Sequence, residues 1–366
     1  MNRRRFLSYL AISGLAGVGA YLMLSNYPPS GEDRALDIEY RVVAEGLTVP
    51  WSIVPLDTGR YLVTERIGRL TYIDRGRISE VGRFDVYNRG EAGLLGIAID
   101  PDFESNRWIY LYMSYSNGGG VLNKVVRYRL DRDNRSVGGH EVVVDGIPGA
   151  DIHDGGRIKF GPDGYLYITT GDAAKPELAQ DIDSLAGKIL RVNSDGSIPS
   201  DNPFGNAVYS YGHRNPQGID WHPVYGYMLS SEHGPVGHDE INLIVEGGNY
   251  GWPIVTGSGG EDGYIDPVYE TGSSTIAPSG ASFISGDALP EYDGWFAVAC
   301  LRGEMLALFE FNSDATLVSV ESLFRGVFGR IRDVVLDLDG SILILTSNRD
   351  GRGSPRPGDD KVIRIG

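Results

Sequence analysis

The stretch GPDGYLYIT, residues 161–169, contains the pattern that decides the fold. Its first four residues form a turn signal, because proline presets φ and glycine accepts positive φ values. The aromatic and β-branched residues that follow, 165–169, favour a strand. A short run with apolar members at 157–160 precedes the turn, so the whole unit is predicted to be a β-hairpin.

The same unit recurs six times along the chain. Its turns are anchored at Pro55, Pro101, Pro162, Pro223, Pro290 and Leu338, at intervals of 46 to 67 residues. The intervening segments are rich in strand and turn residues, with a single helical candidate near Glu177 to Leu185. Repeats of this kind are typical of propeller blades with about four strands each. We therefore predict an all-β fold, a six-bladed β-propeller with four-stranded antiparallel blades, since a β-sandwich does not explain the even spacing.

Charge and cysteine content exclude several classes of function. The 366 residues include 33 Lys and Arg against 49 Asp and Glu, which gives a formal net charge of −16. Because a duplex-binding surface needs a basic face, no nucleic acid partner is expected. Cys300 is the only cysteine, so an intrachain disulfide and a cysteine-based metal or redox centre are excluded.

The amino terminus has the pattern of a targeting segment. Arg3-Arg4-Arg5-Phe6-Leu7 begins a stretch that is uncharged from residue 6 to residue 31. The paired arginines resemble the twin-arginine export signal; the alternative is an uncleaved membrane anchor. Both interpretations place the protein outside the cytoplasm, secreted or membrane-anchored. We assign residues 1–35 to the signal or anchor plus a linker, and residues 36–366 to the propeller.

The repeat frame also locates a candidate site. In a propeller, the start of each blade's first strand and the end of its second strand lie on the same face, which we call the mouth. Residues before the first strand of a blade include Glu91, His153, Arg214, Asn215, Arg330 and Arg332. Residues after the second strand include Asp172, residues 233–235, Arg302 and Asn348. Each of these residues, taken alone, is most simply explained as a solvated residue at the rim. Charged residues scattered over a surface would not, however, recur at equivalent positions in successive repeats.

These residue types indicate a chemistry. Guanidinium groups pair with carboxylates or phosphates, so the four arginines imply a polyanionic ligand. A histidine such as His153 takes a proton from an alcohol near neutral pH. Asp172 is predicted either to orient that imidazole or to pair with Arg214. The oxygens of Gly234-Pro235 and Asp239-Glu240 suit a hard cation such as calcium.

An ordered set of motifs over residues 49–366 resembles the soluble quinoprotein aldose sugar dehydrogenases of the glucose/sorbosone dehydrogenase family. These motifs are IHDGGR (152–157), GHRNPQG (212–218), EHGP (232–235), DEIN (239–242), GNYGWP (248–253) and RIRD (330–333). The resemblance implies a six-bladed propeller that holds pyrroloquinoline quinone (PQQ), oxidises the anomeric carbon of aldoses to a lactone and passes electrons to an external acceptor.

The resemblance also implies roles for individual residues. His153 would be the general base, and Gly234 and Pro235 would offer backbone oxygens to the calcium beside the quinone. Glu240 and Tyr250 would serve a second, structural calcium. The residues implied to hold the quinone are Arg214, Asn215, Arg302, Arg330 and Arg332.

Two residues depart from the glucose dehydrogenase branch of that family. Glu91 replaces a glutamine near the cofactor, and a carboxylate there needs a compensating cation. Arg302 replaces a lysine. Arg60 and Arg66 match no motif of the family and are expected to take no part in ligand binding. The chain lacks long insertions, so a monomer is expected.

Two other functions fit a propeller: a calcium-dependent lactonase and a non-catalytic carbohydrate-binding module. Four arginines favour a tricarboxylate over a neutral lactone, and a binding module has no need of His153 beside them. The sequence does not identify the preferred sugar or the natural electron acceptor.

Overall fold

A computed structural model describes residues 38–259 and 262–366 of the protein. The predicted export signal and linker at 1–35 lie outside these residues. Within them, no helix combines the length and the apolar character that crossing a membrane requires.

The predicted architecture is confirmed: six four-stranded antiparallel sheets form the blades of a propeller. Blade 1 contains β2 (Pro50–Asp57), β3 (Arg60–Glu65), β4 (Arg69–Asp74) and β5 (Arg77–Arg83). Blade 2 contains β6 (Leu94–Ile99), β7 (Trp108–Ser116), β8 (Val121–Leu130) and β9 (Val137–Gly149). Blade 3 contains β10 (Ile158–Phe160), β11 (Leu166–Thr170), β12 (Lys188–Val192) and β13 (Val208–Tyr211).

The second half of the chain repeats the arrangement. Blade 4 contains β14 (Pro216–Trp221), β15 (Met228–Glu232), β16 (Glu240–Ile244) and β17 (Tyr269–Glu270). Blade 5 contains β18 (Pro278–Phe283), β19 (Phe296–Cys300), β20 (Met305–Phe311) and β21 (Leu317–Leu323). Blade 6 contains β22 (Ile331–Leu336), β23 (Ile342–Thr346), β24 (Lys361–Ile365) and, as its outer strand, β1 (Tyr40–Glu45).

The ring is closed by strands from the two ends of the chain. Strand β1 pairs antiparallel with β24, so that Tyr40 lies opposite Ile365 and Glu45 opposite Lys361. Blade 6 is therefore built from both ends of the described sequence, and opening the ring requires breaking this ladder.

The part of the chain that the structure describes contains little helix. Helix α1 spans Phe103–Asn106, and two 3₁₀ turns span Pro176–Ala179 and Pro290–Tyr292. The helical candidate at 177–185 was therefore wrong beyond its first turn. Its second half breaks up because the Asp181 carboxylate accepts a hydrogen bond from the Asp183 N–H, and local side-chain bonds of this kind compete with the helix.

The apolar core lies between neighbouring blades. Every residue of β11 and β12 is buried, since these strands are covered on both faces. Tyr112 of blade 2 and Leu190 of blade 3 belong to one apolar cluster, and Leu306 of blade 5 and Ile363 of blade 6 to another. Packing between blades thus holds the disc rigid and fixes the positions of the loops at its mouth.

The axis of the disc is filled by polar side chains. The Arg157 guanidinium donates to the Ser52 hydroxyl at 2.8 Å, to the Asp333 carboxylate at 2.9 Å and to the Gln217 carbonyl at 2.9 Å. These partners belong to blades 1, 6 and 4. Arg157, although it belongs to a recognised motif, ties the innermost strands together beneath the mouth.

Candidate active site

Loops from neighbouring blades meet at the mouth, as the repeat frame predicted. His153 precedes the first strand of blade 3 and Asp172 follows its second strand, and their side chains lie 2.8 Å apart. Arg214, which precedes the first strand of blade 4, lies 2.9 Å from the same imidazole. The structure therefore brings together three side chains that the sequence separates by up to 61 positions.

An unusual backbone path directs His153 into the mouth. The residue has a φ of +60°, and Gly155 follows with +62°. A Cβ at Gly155 would lie 2.7 Å from the Thr169 carbonyl oxygen, so only glycine allows this close approach. The Asn215 Oδ1 accepts a hydrogen bond from the Gly155 N–H at 3.0 Å, which fixes the loop and leaves the Asn215 amide NH₂ for a ligand.

The partners of the His153 ring define its tautomer. Arg214 is a donor only, so the Nε2 that it contacts is the unprotonated nitrogen. Nδ1 then carries the proton and donates to Asp172 Oδ1 at 2.8 Å. Asp172 is fully buried, and its second oxygen accepts from the Trp252 indole N–H at 2.9 Å. Of the two roles predicted for Asp172, the geometry shows the first: it orients the imidazole.

Arg214 spans the mouth between two blades. One guanidinium nitrogen contacts His153, and another donates to the His233 carbonyl at 3.0 Å. Its Nε is buried and has no hydrogen-bond partner among the described residues, and burial lowers the pKa of the guanidinium. A buried charge with an unused donor is well placed to receive an anionic ligand.

A buried carboxylate holds the backbone of this segment. Glu232 accepts hydrogen bonds from the N–H groups of Arg214 and Asn215. Its second oxygen lies 2.9 Å from Nδ1 of His213, whose Nε2 lies 2.8 Å from the Ser210 hydroxyl. His213 is therefore a structural residue that supports the site from below.

Glu91 has the compensating cation that its charge requires. Its Oε1 accepts from Arg352 at 2.8 Å and its Oε2 from the His153 N–H at 3.1 Å. Burial acts to raise the pKa of Glu91, but the charge of His233 and the hydrogen bonds from Arg352 and His153 lower it to about 2. Glu91 is thus ionised, and the hydrogen bond that it accepts holds the backbone of His153 in place.

Arg330 and Arg332 lie side by side and share the Asp350 carboxylate, which is hydrogen-bonded to Arg330 and lies 3.9 Å from Arg332. Arg330 donates through Nε and Nη2 to the Asp350 carboxylate, at 2.9 and 2.8 Å. Arg332 donates to Gln217 at 2.9 Å and to the Ser279 hydroxyl at 3.2 Å, and its buried Nε has no hydrogen-bond partner in 38–259 or 262–366. Burial lowers the pKa of Arg332 to about 9, and Arg330 adds to this effect. One shared carboxylate leaves the pair with excess positive charge.

Arg302 and Arg66 each follow the second strand of a blade, β19 and β3. Arg302 is exposed, and its side chain forms no hydrogen bond with any described residue, so its role in ligand binding stays a prediction. Arg66 was expected to take no part in ligand binding. It lies at the mouth, in electrostatic range of Arg330, Asp350 and Glu91.

Comparison with known proteins identifies the family. Residues 47–355 match the family model described as glucose/sorbosone dehydrogenase. The chain belongs to the glucose/sorbosone dehydrogenase family. The predicted resemblance is confirmed, and membership makes the protein an oxidoreductase.

Individual relatives of this family member agree along most of its length. It is 33% identical to the aldose sugar dehydrogenase YliI of Escherichia coli, over 87% of this chain and 93% of that protein. It is 36% identical to the quinoprotein glucose dehydrogenase B of Acinetobacter calcoaceticus, over 72% of this chain and 63% of that protein. The PQQ-bound aldose sugar dehydrogenase of Streptomyces coelicolor superposes with a TM-score of 0.82 at 38% identity, over 91% and 99% of the two chains.

The predicted calcium ligands of this dehydrogenase line one small cavity, beside Arg214 and His233. Within 38–259 and 262–366, no hydrogen bond is made to the carbonyl oxygens of Gly234 or Pro235. No group of three or more His, Cys, Asp or Glu side chains in those ranges is arranged to hold a metal ion. A cation here would rely largely on carbonyl oxygens.

Glu240 and Tyr250 lie on the wall of the same cavity. The Tyr250 hydroxyl donates to the Leu243 carbonyl at 2.6 Å and accepts from the Val245 N–H at 3.0 Å, so its backbone carbonyl is the free oxygen. Burial, together with the nearby Glu232, raises the pKa of Glu240 to about 8. No cationic side chain in the described part of the chain pairs with the Glu240 carboxyl.

Sequence reasoning missed the residues that balance charge in this family member. Asp350 and Arg352 follow Asn348 by two and four positions, and Asn348 had been placed at the mouth by its register. Their closeness to Asn348 in the sequence was the available signal, but it did not indicate which residues they would contact. Glu232 and Trp252 lie inside recognised motifs, but no spacing shows that their side chains support Arg214 and Asp172.

Proposed function

We propose that this protein is a PQQ-dependent aldose sugar dehydrogenase that oxidises the C1 hydroxyl of an aldose to the lactone. The observation that carries the proposal is the His153 imidazole, whose Nε2 lone pair faces the mouth while Asp172 holds the Nδ1 proton. The names of its relatives, an aldose sugar dehydrogenase and a quinoprotein glucose dehydrogenase, support the substrate class and the cofactor.

The residues present fit a tricarboxylate quinone. Among the residues that the structure describes, the buried Nε atoms of Arg214 and Arg332 and the amide NH₂ of Asn215 have no hydrogen-bond partner. A carboxylate of PQQ would satisfy such donors and neutralise the excess positive charge. We assign the holding of PQQ to Arg214, Asn215, Arg330 and Arg332. Arg302 and Glu91 remain candidates, the former as an unpaired cation at the rim.

The chemistry then divides between cofactor and protein. When bound, PQQ supplies the electrophilic carbonyl carbon that accepts hydride from C1. Nε2 of His153 takes the proton of the C1 hydroxyl, which raises the electron density on C1. Loss of one hydride and one proton turns the C1 alcohol into the lactone carbonyl. Asp172 stabilises the resulting imidazolium, and the Trp252 N–H keeps Asp172 in place.

Arg214 must move away from the His153 imidazole during this reaction. Its Nη2 occupies the Nε2 lone pair at 2.9 Å, which is the position that a sugar hydroxyl needs. A carboxylate competing for the guanidinium would draw Arg214 away and free Nε2. Binding of the anion and exposure of the base are thereby coupled.

Calcium would complete the site through the oxygens of Gly234, Pro235, Glu240 and Tyr250. A calcium ion beside PQQ would act as a Lewis acid. An ion near Glu240 would compensate a carboxyl that is otherwise buried without a cation. Both effects concern the same cavity, so we expect the protein to lose order as well as activity when calcium is removed.

Chelation with EDTA is expected to abolish turnover of the PQQ-loaded protein, and added calcium to restore it. Calcium at 100 times its Kd should stabilise the fold by about 2.7 kcal/mol, which thermal unfolding measures. Glu240→Gln should lose most of this stabilisation, whereas Glu246→Gln, an exposed residue of the same blade, should keep it. Full turnover in a metal-free preparation would remove calcium from the mechanism.

The proposed function is tested by titrating PQQ into the purified protein with calcium present and recording the absorption spectrum. A panel of aldoses is then assayed for reduction of an artificial dye. Saturable PQQ binding with sugar-dependent dye reduction is the expected result. Calcium-dependent hydrolysis of lactones without PQQ would support a lactonase instead, and sugar binding without turnover a non-catalytic module.

We also propose that the protein is exported through a twin-arginine signal and acts as a monomer that passes electrons to an external acceptor. Arg4→Lys combined with Arg5→Lys is expected to retain the protein in the cytoplasm, because the signal depends on the paired arginines. Immunoblots of cell fractions measure this. An unchanged distribution would contradict the export proposal. The oligomeric state is measured by sedimentation, and a dimer there would contradict the proposal of a monomer.

A further inference from the structure

Arg66 occupies a position that the other site residues share. It follows directly after β3, the second strand of blade 1, as His233 follows β15 in blade 4. Asp172 stands two residues after β11 in blade 3. The register that places Asp172 and His233 at the mouth therefore places Arg66 there too.

The backbone of Arg66 is fixed by its neighbours. Its N–H donates to the Val49 carbonyl at 3.0 Å, and its carbonyl accepts from the Leu94 N–H at 3.1 Å. Gly93 has a φ of +149°, and a Cβ there would lie 2.2 Å from the Arg66 carbonyl oxygen and 2.5 Å from its Cγ. Only glycine at position 93 lets blade 2 approach this closely. The close contact fixes the direction in which the Arg66 side chain leaves the backbone.

The guanidinium of Arg66 has no anion of its own. The nearby carboxylates are taken: Asp350 by Arg330, and Glu91 by Arg352. Within the described ranges, the Arg66 side chain donates no hydrogen bond, and its Nε is buried without a partner. Burial lowers the pKa of Arg66, and the charges of Arg352 and Arg330 act in the same direction.

We propose that Arg66 is an additional anion-binding residue of the mouth and contacts a carboxylate of PQQ beside Arg330 and Arg332. Blades 1 and 6 are neighbours, so these three guanidiniums form one basic cluster around the single carboxylate of Asp350. A ligand carboxylate restores the charge balance and satisfies the unused donors. The identity of the ligand rests on the proposed function; the anion site itself does not.

The test compares Arg66→Gln with Arg60→Gln. Arg60 lies at the opposite end of β3 and pairs with Asp57 and Asp74 near the surface. PQQ affinity is measured by fluorescence titration without substrate, and the unfolding temperature of the PQQ-free protein by calorimetry. Arg66→Gln is expected to weaken PQQ binding about 10-fold or more without lowering the unfolding temperature. Arg66→Lys should recover part of the affinity, and Arg60→Gln should match the wild type.

Each other outcome is decisive. Equal PQQ affinity in Arg66→Gln and wild type would overturn the inference. A lower unfolding temperature with weakened binding that Arg66→Lys does not recover would also overturn it, because that is the signature of a structural residue. If the wild type binds no PQQ, the proposed function fails, and titration with citrate, a simpler tricarboxylate, decides on Arg66. Weaker citrate binding in Arg66→Gln would support the anion site, and equal binding would reject it.

Discussion

Replacement of His153 by alanine is expected to lower turnover by about two to four orders of magnitude, the usual contribution of a positioned general base. PQQ affinity should change little, because the ligand donors belong to Arg214, Arg330 and Arg332. His153 Nε2 is the unprotonated nitrogen at the mouth, and the buried Asp172 carboxylate accepts the hydrogen bond from the other ring nitrogen. Steady-state dye reduction and PQQ titration measure the two effects separately.

Two further variants sharpen this prediction. Asp172→Asn should also lower turnover at unchanged PQQ affinity, because a neutral amide cannot stabilise the imidazolium. His140→Ala is the matched control, since His140 is exposed on an outer strand of blade 2. Retention of more than a tenth of wild-type turnover by His153→Ala would remove this histidine from the role of base.

The repeats predicted most of the fold and the location of the site. A turn anchored at Pro162 and its equivalents recurs with strand-rich sequence on both sides, and this determines the direction in which each blade runs. The direction in turn determines which strand ends share a face. His153, Asp172 and Arg214 could thus be placed together without any knowledge of their contacts.

The repeat frame could not predict which residues of distant loops form ion pairs. Glu91 meets Arg352 across 261 positions of sequence, and the Arg352 loop has no regular strand whose register predicts its direction. Arg66 shows a different limit. The repeat frame places it directly after the second strand of blade 1, but it matched no family motif and was therefore left out of the candidates.

Arg157 shows that a motif does not assign a role. It shares the IHDGGR segment with His153, yet it is buried on the axis and paired with Asp333. The partners that determine this role come from three other blades, and only the closed ring brings them together. A motif match therefore locates a residue in the fold, whereas the contacts that the residue makes in the closed ring show whether it serves the fold or the ligand.

Substitution of Arg214 by glutamine is expected to weaken PQQ affinity by about 30-fold or more. Truncating one partner of a desolvated charge pair costs about 2 to 5 kcal/mol, and about 1.4 kcal/mol is a factor of ten. Arg214 gives the clearest test among the four predicted arginines. Its partners are His153 and a backbone carbonyl, so its removal leaves no carboxylate unpaired. Fluorescence titration with PQQ measures the loss.

Arg330→Gln should show a similar loss of affinity but a different effect on the fold. It leaves the buried Asp350 carboxylate without its main partner, so the PQQ-free protein should unfold at a lower temperature, whereas Arg214→Gln should not. Lysine at either position should recover only part of the affinity, because a point charge cannot form the bidentate fork. Arg60→Gln is the control. If Arg60→Gln loses as much PQQ affinity as Arg214→Gln, general surface charge binds the quinone. The proposal that a defined set of arginines binds it would then be wrong.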